Sequence, residues 1–258
     1  MNFYFSGTGN SMYIAEQLDT QSESIPQVMK SGKRVFQDRI IGLVCPIYGH
    51  EMPQMVKQFL KEAEFKTDYF YIILTYGRRH ANAVELAKNY AESIGIKPAY
   101  IATLLMVDNF LPAFDMAQEV TLEKHVDRQL ETIRKEIQSG CRKIEAVTEQ
   151  DRAGHAEFLQ NMKNLHVQAP YETYWGQFEV TDACIGCGIC SKICPAGCIS
   201  IIDQHAVHEK DGCQACYACI HSCPQTAIHL KIGEANPDAR YRNEHISLSQ
   251  LIKANHQK

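Results

Sequence analysis

The sequence has no basic excess, no long apolar run and no export signal, and each absence disfavours a class of protein. Its 26 Lys and Arg residues are outnumbered by 30 Asp and Glu residues, and the net charge of −4 disfavours a nucleic-acid-binding surface. No segment approaches the roughly 18 consecutive apolar residues that a membrane-spanning helix needs. The amino terminus lacks a basic region followed by an apolar one. We therefore expect a cytoplasmic protein that does not bind nucleic acid and has no membrane span.

Length and composition predict a folded protein of two domains. An apolar share of 45% with 22% charged residues is ordinary for globular proteins. The 258 residues exceed the roughly 150 of an average domain. A connector at Gln168–Gly176 contains Pro170 and precedes almost all of the cysteines. We predict domains at residues 1–166 and 175–233, followed by a tail at residues 234–258.

Apolar runs alternate with helical patterns in the first part of the chain. Four runs have the composition of buried strands: Asn2–Phe5, Arg39–Ile47, Tyr69–Tyr76 and Ala99–Val107. Three segments between them have helical spacing: Ser11–Leu18, Pro53–Ala63 and Ala81–Ile94. This alternation predicts an α/β domain whose parallel sheet is covered on both faces. Glu23–Val28 and Arg34–Phe36 compete for one remaining strand.

Three more helices are predicted further along the chain. A long helix is expected from Met116 to Ser139, because apolar residues from Val120 to Ile137 recur at helical spacing. A shorter helix is expected at Ala156–Leu165. A last helix, Leu248–Ala254, would begin after Ser247 as its N-cap.

Cysteine is the residue that the sequence has in excess. Eight of its 11 cysteines form two C-x2-C-x2-C-x3-C-P runs between Cys184 and Cys223, Cys198 lies within that window, and Cys45 and Cys141 are isolated. Disulfides are disfavoured because cytoplasmic thiols stay reduced. Zinc sites built from C-x2-C pairs would leave four of the eight thiols without a role. The pattern therefore favours metal–sulfur clusters.

The two cysteine runs are copies of each other. A shift of 29 residues aligns Asp182 with Asp211 and Ile199 with Ile228, together with the four cysteines and the proline between them. This repeat predicts two half-domains related by a pseudo-two-fold axis. Over residues 178–232 the sequence resembles the bacterial-type 2[4Fe–4S] ferredoxins.

In that family the cysteine before the proline completes the other cluster. The resemblance therefore implies one [4Fe–4S] cluster held by Cys184, Cys187, Cys190 and Cys223. It implies a second [4Fe–4S] cluster held by Cys213, Cys216, Cys219 and Cys194. It also implies antiparallel pairing of Phe178–Val180 with Ile228–Leu230.

Cys198 lies four residues after Cys194, at the position that Ala227 occupies in the second run. A small residue packed beside a cluster is the favoured interpretation. A ligand role is the alternative.

A loop of small polar residues follows the first predicted strand. It consists of Ser6, Gly7, Thr8, Gly9, Asn10 and Ser11. Backbone N–H groups at a helix N-terminus, joined by hydroxyl groups, form a site for an anion. A dinucleotide fingerprint would need a third glycine where Met12 stands, and a Walker A loop would need a lysine, yet none precedes Lys30. The absence of a cation favours a phosphate monoester.

This loop resembles the FMN-phosphate loop of flavodoxins, and the strand–helix alternation extends the resemblance over residues 1–165. The resemblance implies a doubly wound, five-stranded parallel sheet of order 2-1-3-4-5 with FMN at the carboxyl ends of its strands. It implies flavin-ring contacts in three later loops: Pro46, Ile47, Tyr48, Gly49 and His50; Thr75, Tyr76, Gly77 and Arg78; Asp108 and Asn109. Tyr48 and Tyr76 are candidates to stack on the ring, and core packing is the alternative for both.

Two features depart from typical flavodoxins. The only tryptophan, Trp175, lies outside the predicted domain, so no indole of that domain shields the flavin. Arg78, Arg79 and His80 bring positive charge near the predicted flavin edge, where flavodoxins carry acidic groups. Such an edge would stabilise a negatively charged reduced flavin or bind an acidic partner, and a solvated surface is the alternative.

The whole chain resembles the flavodoxin–ferredoxin fusion proteins of anaerobes, and Arg240-Tyr241-Arg242-Asn243 resembles their carboxyl tail. We expect this tail to pack across the domain junction. The resemblance implies an electron-transfer flavoprotein that passes low-potential electrons between two [4Fe–4S] clusters, FMN and redox protein partners. An electron carrier is favoured over a substrate-specific oxidoreductase, since no nicotinamide fingerprint or nucleophilic triad is present.

Other functions stay open. One is an FMN-dependent reductase of a small molecule, with His50, Arg78, Arg79 and Asn109 near the substrate. Another is a sensor or scaffold whose clusters are structural. A homodimer is a further option, because it would bring the clusters of one chain close to the flavin of another.

Overall fold

The structure is a computed structural model that describes residues 1–164, 178–209 and 212–257. Trp175, Asp211, the connector at Gln168–Gly176 and the predicted helix end at Leu165 lie outside the described residues. The chain separates into two compact units. The first comprises Met1–Phe5, Ser11–Met106 and Lys124–Gln168, and the second comprises Ser6–Asn10, Val107–Glu123 and Ala169–Lys258. The units are therefore discontinuous, whereas the predicted domains are continuous ranges.

A parallel sheet with crossover helices forms the first unit. In chain order its first elements are β1 (Asn2–Tyr4), α1 (Asn10–Leu18), β2 (Ser22–Ser24), α2 (Ile25–Ser31), β3 (Val35–Gln37), β4 (Ile40–Pro46) and α3 (Gln54–Glu62). The elements that follow are β5 (Glu64–Lys66), β6 (Tyr69–Tyr76), α4 (Ala83–Ser93), β7 (Tyr100–Leu105), α6 (Val126–Gln138), β8 (Lys143–Ile144) and α7 (Glu149–Asn164), with α5 (Met116–Glu119) between β7 and α6 in the chain. All neighbouring strands of the main sheet are parallel, and their order is β2-β1-β4-β6-β7-β8.

This order confirms the predicted fold class. Strands β4, β6 and β7 are the third, fourth and fifth strands of the flavodoxin-like order 2-1-3-4-5, and β8 adds a short strand at the edge. Strand β6 is buried along nearly its whole length, as a continuous apolar run in a covered parallel sheet requires. One side of the core is aromatic, since the Phe3 ring lies 4.6 Å from Phe36 and 5.0 Å from Phe59.

The edge of the sheet differs from both predicted candidates. The strand is Ser22–Ser24, and a helix begins at Ile25 with Pro26 in its first turn. Proline suits that position because its missing N–H would be unpaired there. The other candidate, Arg34–Phe36, overlaps the strand Val35–Gln37. This strand pairs with Glu64–Lys66 in a separate two-stranded sheet.

The predicted helix from Met116 to Ser139 is wrong as one element. The structure has α5 and α6 instead, with residues 120–125 between them. His125 has a left-handed backbone with φ 49°, which a continuing helix excludes, and Val120 is 50% exposed. The chain passes from the second unit to the first within this interruption.

Short elements surround the cysteines in the second unit. They are β9 (Phe178–Val180), α8 (Ile189–Ile193), β10 (Ile199–Ile202), β11 (His205–His208), α9 (Ala218–His221), β12 (Ile228–Leu230) and α10 (Leu248–Asn255). The predicted pairing of the outer strands is confirmed, because Phe178 pairs with Leu230 and Val180 with Ile228 in antiparallel register. The last helix begins as predicted, with Ser247 and Gln250 forming a capping box.

Among the residues that the structure describes, no helix combines the length and apolar character needed to cross a membrane.

Candidate cluster and cofactor sites

The two cysteine runs have the same backbone pattern. Gly186, Gly188 and Gly197 of the first run have φ angles of 65°, 75° and 65°, and their counterparts Ala215, Tyr217 and Thr226 have φ angles of 49°, 57° and 48°. Glycine adopts this left-handed backbone with little strain, whereas other residues do so at a cost. The second run therefore adopts the same left-handed backbone at three residues that are not glycine. In each run the third cysteine lies on a short helix, α8 or α9.

Four cysteines line one cavity of the second unit. They are Cys184, Cys187, Cys190 and Cys223, and their apolar neighbours include Ile201. Burial raises the pKa of Cys190 to about 11, and the nearby Cys187, Cys223 and Cys184 raise it further. The structure thus brings together three cysteines of the first run and the last cysteine of the second run.

The other four repeat cysteines are also neighbours. Burial raises the pKa of Cys216 and of Cys219, and the adjacent Cys194 and Cys213 raise both pKa values further. Cys194 therefore lies with the first three cysteines of the second run. This is the set that the ferredoxin resemblance implies for the other cluster.

Cys198 touches two members of this second set. Its sulfur lies 3.4 Å from Cys194 Sγ. The hydrogen bond with Cys198 lowers the pKa of Cys194 to about 7, and hydrogen bonds with Cys194 and Cys213 raise the pKa of Cys198. Cys198 is therefore hydrogen-bonded to both Cys194 and Cys213.

His208 contacts a cysteine of the same set. Its Nε2 lies 3.7 Å from Cys219 Sγ. The imidazole stacks on the Phe178 ring, with the two centroids 4.6 Å apart and the planes 6° from parallel. Burial lowers the pKa of His208 to about 4, so the ring is neutral at pH 7. A neutral imidazole carries one N–H, which can be donated to sulfur.

The two cysteine sets fit four-iron clusters better than single ions. Within residues 1–164, 178–209 and 212–257, no three His, Cys, Asp or Glu side chains are grouped so that they could hold one metal ion. A [4Fe–4S] cluster does not require such a group, because each thiolate binds a different iron atom. Four thiols around one cavity, with apolar residues between them, are a suitable donor set for such a cluster.

Residues Ser6–Asn10 of the predicted phosphate loop belong to the second unit, and all of them except Asn10 are buried. Ser6 Oγ accepts the Gly9 N–H at 3.0 Å and so closes the turn. A side chain at position 7 would overlap the Cys216 carbonyl, and one at position 9 would lie 3.0 Å from Asn243 Cβ. Glycine is therefore required at both positions by the close approach of neighbouring backbone and side chains.

The donor set of this loop fits a phosphate group. The backbone N–H groups of Gly7, Thr8 and Asn10 have no hydrogen-bond acceptor among the described residues. They lie at the start of α1, where the helix dipole favours an anion. Unpaired N–H groups in a buried turn are costly, and phosphate oxygens would pair them.

The loop after β7 contacts the phosphate loop. Asn109 Nδ2 donates to Thr8 Oγ1 at 3.0 Å, and Asn10 Nδ2 donates to the Val107 carbonyl at 2.9 Å. Asp108 accepts the Phe110 N–H at 2.8 Å and so shapes its own turn. The structure thus brings the candidate Asn109 to the phosphate loop.

The other flavin-ring candidates belong to the first unit, at the carboxyl ends of β4 and β6. The Ile47 N–H donates to the Thr75 carbonyl at 2.9 Å, which joins the two loops. Thr75 Oγ1 also lies 2.8 Å from the hydroxyl of Ser11 at the start of α1. Tyr48 exchanges backbone hydrogen bonds with Glu51 and so forms a tight turn. These loops follow neighbouring parallel strands, which is where doubly wound sheets bind ligands.

His50 contacts helix α7, and the sequence did not predict this contact. Its Nδ1 lies 3.2 Å from Nδ1 of His155, and its ring centroid lies 4.7 Å from that of Phe158, both on α7. Burial lowers the pKa of His50 to about 4, and the positive groups His155, Arg79 and His80 lower it further. Arg79 and His80, two of the cationic candidates, therefore lie near His50.

The sequence did not predict a contact at these sites for four residues: His208, His221, Tyr241 and Asn255. For Tyr241 the sequence does offer a signal, because it belongs to the segment that resembles the carboxyl tail of the fusion proteins. His221 has Lys192 at the matching position of the repeat, so no pattern marks it.

Comparison with known proteins identifies part of the second unit. Residues 179–200 match the 4Fe-4S binding domain family. A stretch of 48 residues is 48% identical to a subunit of the ion-translocating oxidoreductase complex of Methanosarcina acetivorans, covering 19% of this chain and 18% of that protein. A stretch of 50 residues is 38% identical to the pyruvate synthase subunit PorD of Methanothermobacter marburgensis, covering 19% of this chain and 58% of that protein. The chain thus spans less than two thirds of the length of either relative.

A solved structure is also similar to part of the chain. The Trp repressor binding protein from Bacillus subtilis covers 41% of this chain and 85% of its own, with 11% identity and a TM-score of 0.29. The fold class rests on the strand order of the first unit, not on this match. The chain therefore combines a flavodoxin-like parallel α/β fold with a 4Fe–4S-binding domain of the ferredoxin type.

Proposed function

We propose that this chain is an electron-transfer protein that holds two [4Fe–4S] clusters and one FMN. The observation that carries the proposal is the cavity lined by Cys184, Cys187, Cys190 and Cys223, because a ligand from the second run joins three from the first. This crossed arrangement is typical of two-cluster ferredoxins. The neighbouring set, completed by Cys194, supports a second cluster.

FMN is supported by the chemistry of the loop after β1. Its hydroxyl groups, and its N–H groups that the described residues leave unpaired, suit a phosphate monoester, and the strand order suits a flavin at the carboxyl ends of the strands. When bound, FMN exchanges electrons singly or in pairs, whereas each cluster passes one. The residues proposed to hold its phosphate are Ser6, Gly7, Thr8, Gly9, Asn10 and Ser11. Those proposed near its ring are Pro46, Ile47, Tyr48, Gly49, His50, Thr75, Tyr76, Gly77, Arg78, Asp108 and Asn109.

Redox proteins are the proposed partners, since the clusters would accept or deliver single electrons. One relative is named as a subunit of an ion-translocating oxidoreductase complex, which agrees with this proposal, and the other is named as a subunit of pyruvate synthase. A specific, saturable organic substrate would instead favour the reductase with His50, Arg78, Arg79 and Asn109 near it.

The crossed ligand sets can be tested with single cysteine variants. Cys223→Ser removes one ligand of the proposed first cluster, and Cys141→Ser, outside the repeat, is the matched control. We expect anaerobically reconstituted Cys223→Ser protein to lose one of two cluster signals in electron paramagnetic resonance, with the control unchanged. Full cluster content in Cys223→Ser would overturn the proposed ligand sets.

A further inference from the structure

Two tail side chains converge on one atom of the phosphate loop. Tyr241 Oη donates to Asn10 Oδ1 at 2.6 Å, and Asn243 Nδ2 donates to the same oxygen at 3.1 Å. The Asn10 amide nitrogen donates to the Val107 carbonyl at 2.9 Å. Both ends of the Asn10 amide are thus engaged, so its orientation is fixed.

The tail also binds the carbonyl groups of the loop. The Asn243 N–H donates to the Thr8 carbonyl at 2.8 Å, and Asn255 Nδ2 donates to the Ser6 carbonyl at 3.1 Å. Asn243 and Asn255 are 5% and 1% exposed, so water cannot readily replace these donors. The tail therefore pairs the acceptors of the loop, while the N–H donors of Gly7 and Thr8 are left unpaired by the described residues.

A second set of bonds fixes Tyr241 itself. Its N–H donates to His221 Nδ1 at 3.0 Å, so the proton of this imidazole lies on Nε2, which donates to the Asn109 carbonyl at 3.0 Å. Asn109 Nδ2 in turn donates to Thr8 Oγ1 at 3.0 Å. The base of the tail is held by an ion pair between Arg240 Nη1 and Glu234 Oε2 at 2.8 Å.

From these contacts we infer that the carboxyl-terminal segment is part of the phosphate site, with Tyr241 and Asn243 as positioning residues that act through Asn10. The inference rests on the proposed binding of FMN. The tail does not supply donors to the phosphate. It holds the loop in the conformation in which the backbone N–H groups remain free for the phosphate oxygens. Without the tail bonds, the loop would relax to pair those groups internally, and phosphate binding would have to reverse that change.

Comparison of two ligands tests the inference, since riboflavin is FMN without its phosphate. Flavin-free protein with its clusters retained is titrated with FMN and with riboflavin, and Kd is measured from flavin fluorescence. In Tyr241→Phe we expect the Kd for FMN to rise about two- to tenfold, as for one lost hydrogen bond, and the Kd for riboflavin to stay unchanged. Asn243→Ala is expected to behave in the same way and provides a second variant should Tyr241→Phe fail to fold.

Two controls separate positioning from general stability. Tyr69→Phe removes a comparable hydroxyl bond, to the Cys141 carbonyl of the first unit, and is expected to leave both Kd values unchanged. In an Asn10→Ala background, Tyr241→Phe should have no further effect on FMN binding, because both act through the same amide.

The outcomes are distinct. A loss confined to FMN supports the inference. Unchanged FMN affinity in both tail variants, or equal weakening of FMN and riboflavin, would overturn it. Failure of the unmodified protein to bind FMN would instead contradict the proposed function.

Discussion

Three histidines, of which His221 is buried and His50 and His208 are half-buried, are held neutral by their surroundings. Burial is the main cause that lowers the pKa of His50, His208 and His221 to about 4 in each case. These imidazoles therefore act near neutral pH as fixed donors and acceptors. Two of them contact the proposed cluster and cofactor sites, through Cys219 and Asn109.

His208 is expected to tune the potential of one cluster. An N–H group donated to a ligand sulfur stabilises the more negative, reduced cluster, so its loss lowers the potential. We predict that His208→Phe, which keeps a ring to stack on Phe178, shifts the midpoint potential of one cluster to a more negative value. The measurement is a redox titration followed by electron paramagnetic resonance.

His205→Phe, on the same strand β11, is the control for this prediction. The midpoint potentials of both clusters should be unchanged in this variant. Equal potentials in His208→Phe and the unmodified protein, with full iron content, would show that His208 does not donate to sulfur.

The unmodified protein gives an independent check on His208. With 15N-labelled histidine, the reduced cluster should show a nitrogen hyperfine coupling through the hydrogen bond. This coupling should disappear in His208→Phe.

His50 is expected to make the protein less stable in acid. Its pKa is about 4 in the folded protein against an ordinary value of 6.5, so between these values the unfolded chain binds the additional proton. This contribution is fully present above pH 6.5 and is lost as the pH falls toward 4.

We predict that His50→Asn, which tolerates the left-handed backbone at φ 68°, weakens this pH dependence. The check is the difference in free energy of unfolding between the two proteins at several pH values from 7 to about 4. A constant difference across that range would contradict the neutral state of the half-buried His50.

The cysteine sets could be predicted from the sequence, but the residues that surround them could not. The ferredoxin resemblance implies a set for each cysteine, and the structure brings the same cysteines together. His208 and His221 reach their partners through contacts across the fold, and no local pattern marks such contacts. The contact of His50 with α7 could not be predicted, because it joins residues 105 positions apart in the sequence.

At the scale of elements, β4 and β6 show how tightly the central strands of the first unit pack. Gly42 of β4 pairs with Tyr71 of β6, and a side chain at position 42 would overlap the Tyr71 ring. The Tyr71 hydroxyl accepts a hydrogen bond from Asn2 Nδ2 at 3.3 Å, so the ring is held in place. The absence of a side chain at Gly42 therefore makes room for a buried tyrosine.

We predict that Gly42→Ala destabilises the protein by about 1–3 kcal/mol, since overpacking forces neighbouring groups to shift. Gly154→Ala is the matched control, because Gly154 lies in α7 with no atoms near its added methyl group. The control should gain about 0.5–1 kcal/mol from the better helix propensity of alanine. Chemical denaturation measures both, and a Gly42→Ala protein as stable as the unmodified one would contradict the packing of this strand pair.

Most strands and helices could be predicted, and the failures have local causes. The buried strands were marked by continuous apolar runs, and the last helix by Ser247. The interruption near His125 was not visible, because residues 120–125 contain no glycine or proline to end the predicted helix. The edge strand is only three residues long, which is too short for a periodic signal.

At the scale of the whole molecule, the compact units combine distant parts of the sequence. Ser6–Asn10 and Val107–Glu123 belong with the cysteine repeat, although both follow strands of the parallel sheet. Sequence patterns describe neighbours along the chain, so they cannot show that such segments join another unit. Residues Ser6–Asn10 of the proposed phosphate loop thus share one unit with the second cysteine set.

The stability of the second unit is expected to depend on its clusters. Its core contains cysteines whose thiolates would be costly to bury without iron. We predict that anaerobic removal of iron with a chelator abolishes the thermal transition of the second unit and leaves that of the parallel-sheet unit. Differential scanning calorimetry before and after chelation measures this. Two unchanged transitions in iron-free protein would contradict a cluster-dependent fold.

Cofactor content is the measurement on which the proposed function depends. Protein purified without oxygen, or reconstituted with iron, sulfide and FMN, should contain about eight iron atoms and eight sulfides, as two [4Fe–4S] clusters require. It should also hold one FMN per chain and show both cluster and flavin absorption that bleach reversibly on reduction. A colourless protein, or one that binds zinc in place of iron and retains no flavin, would contradict it.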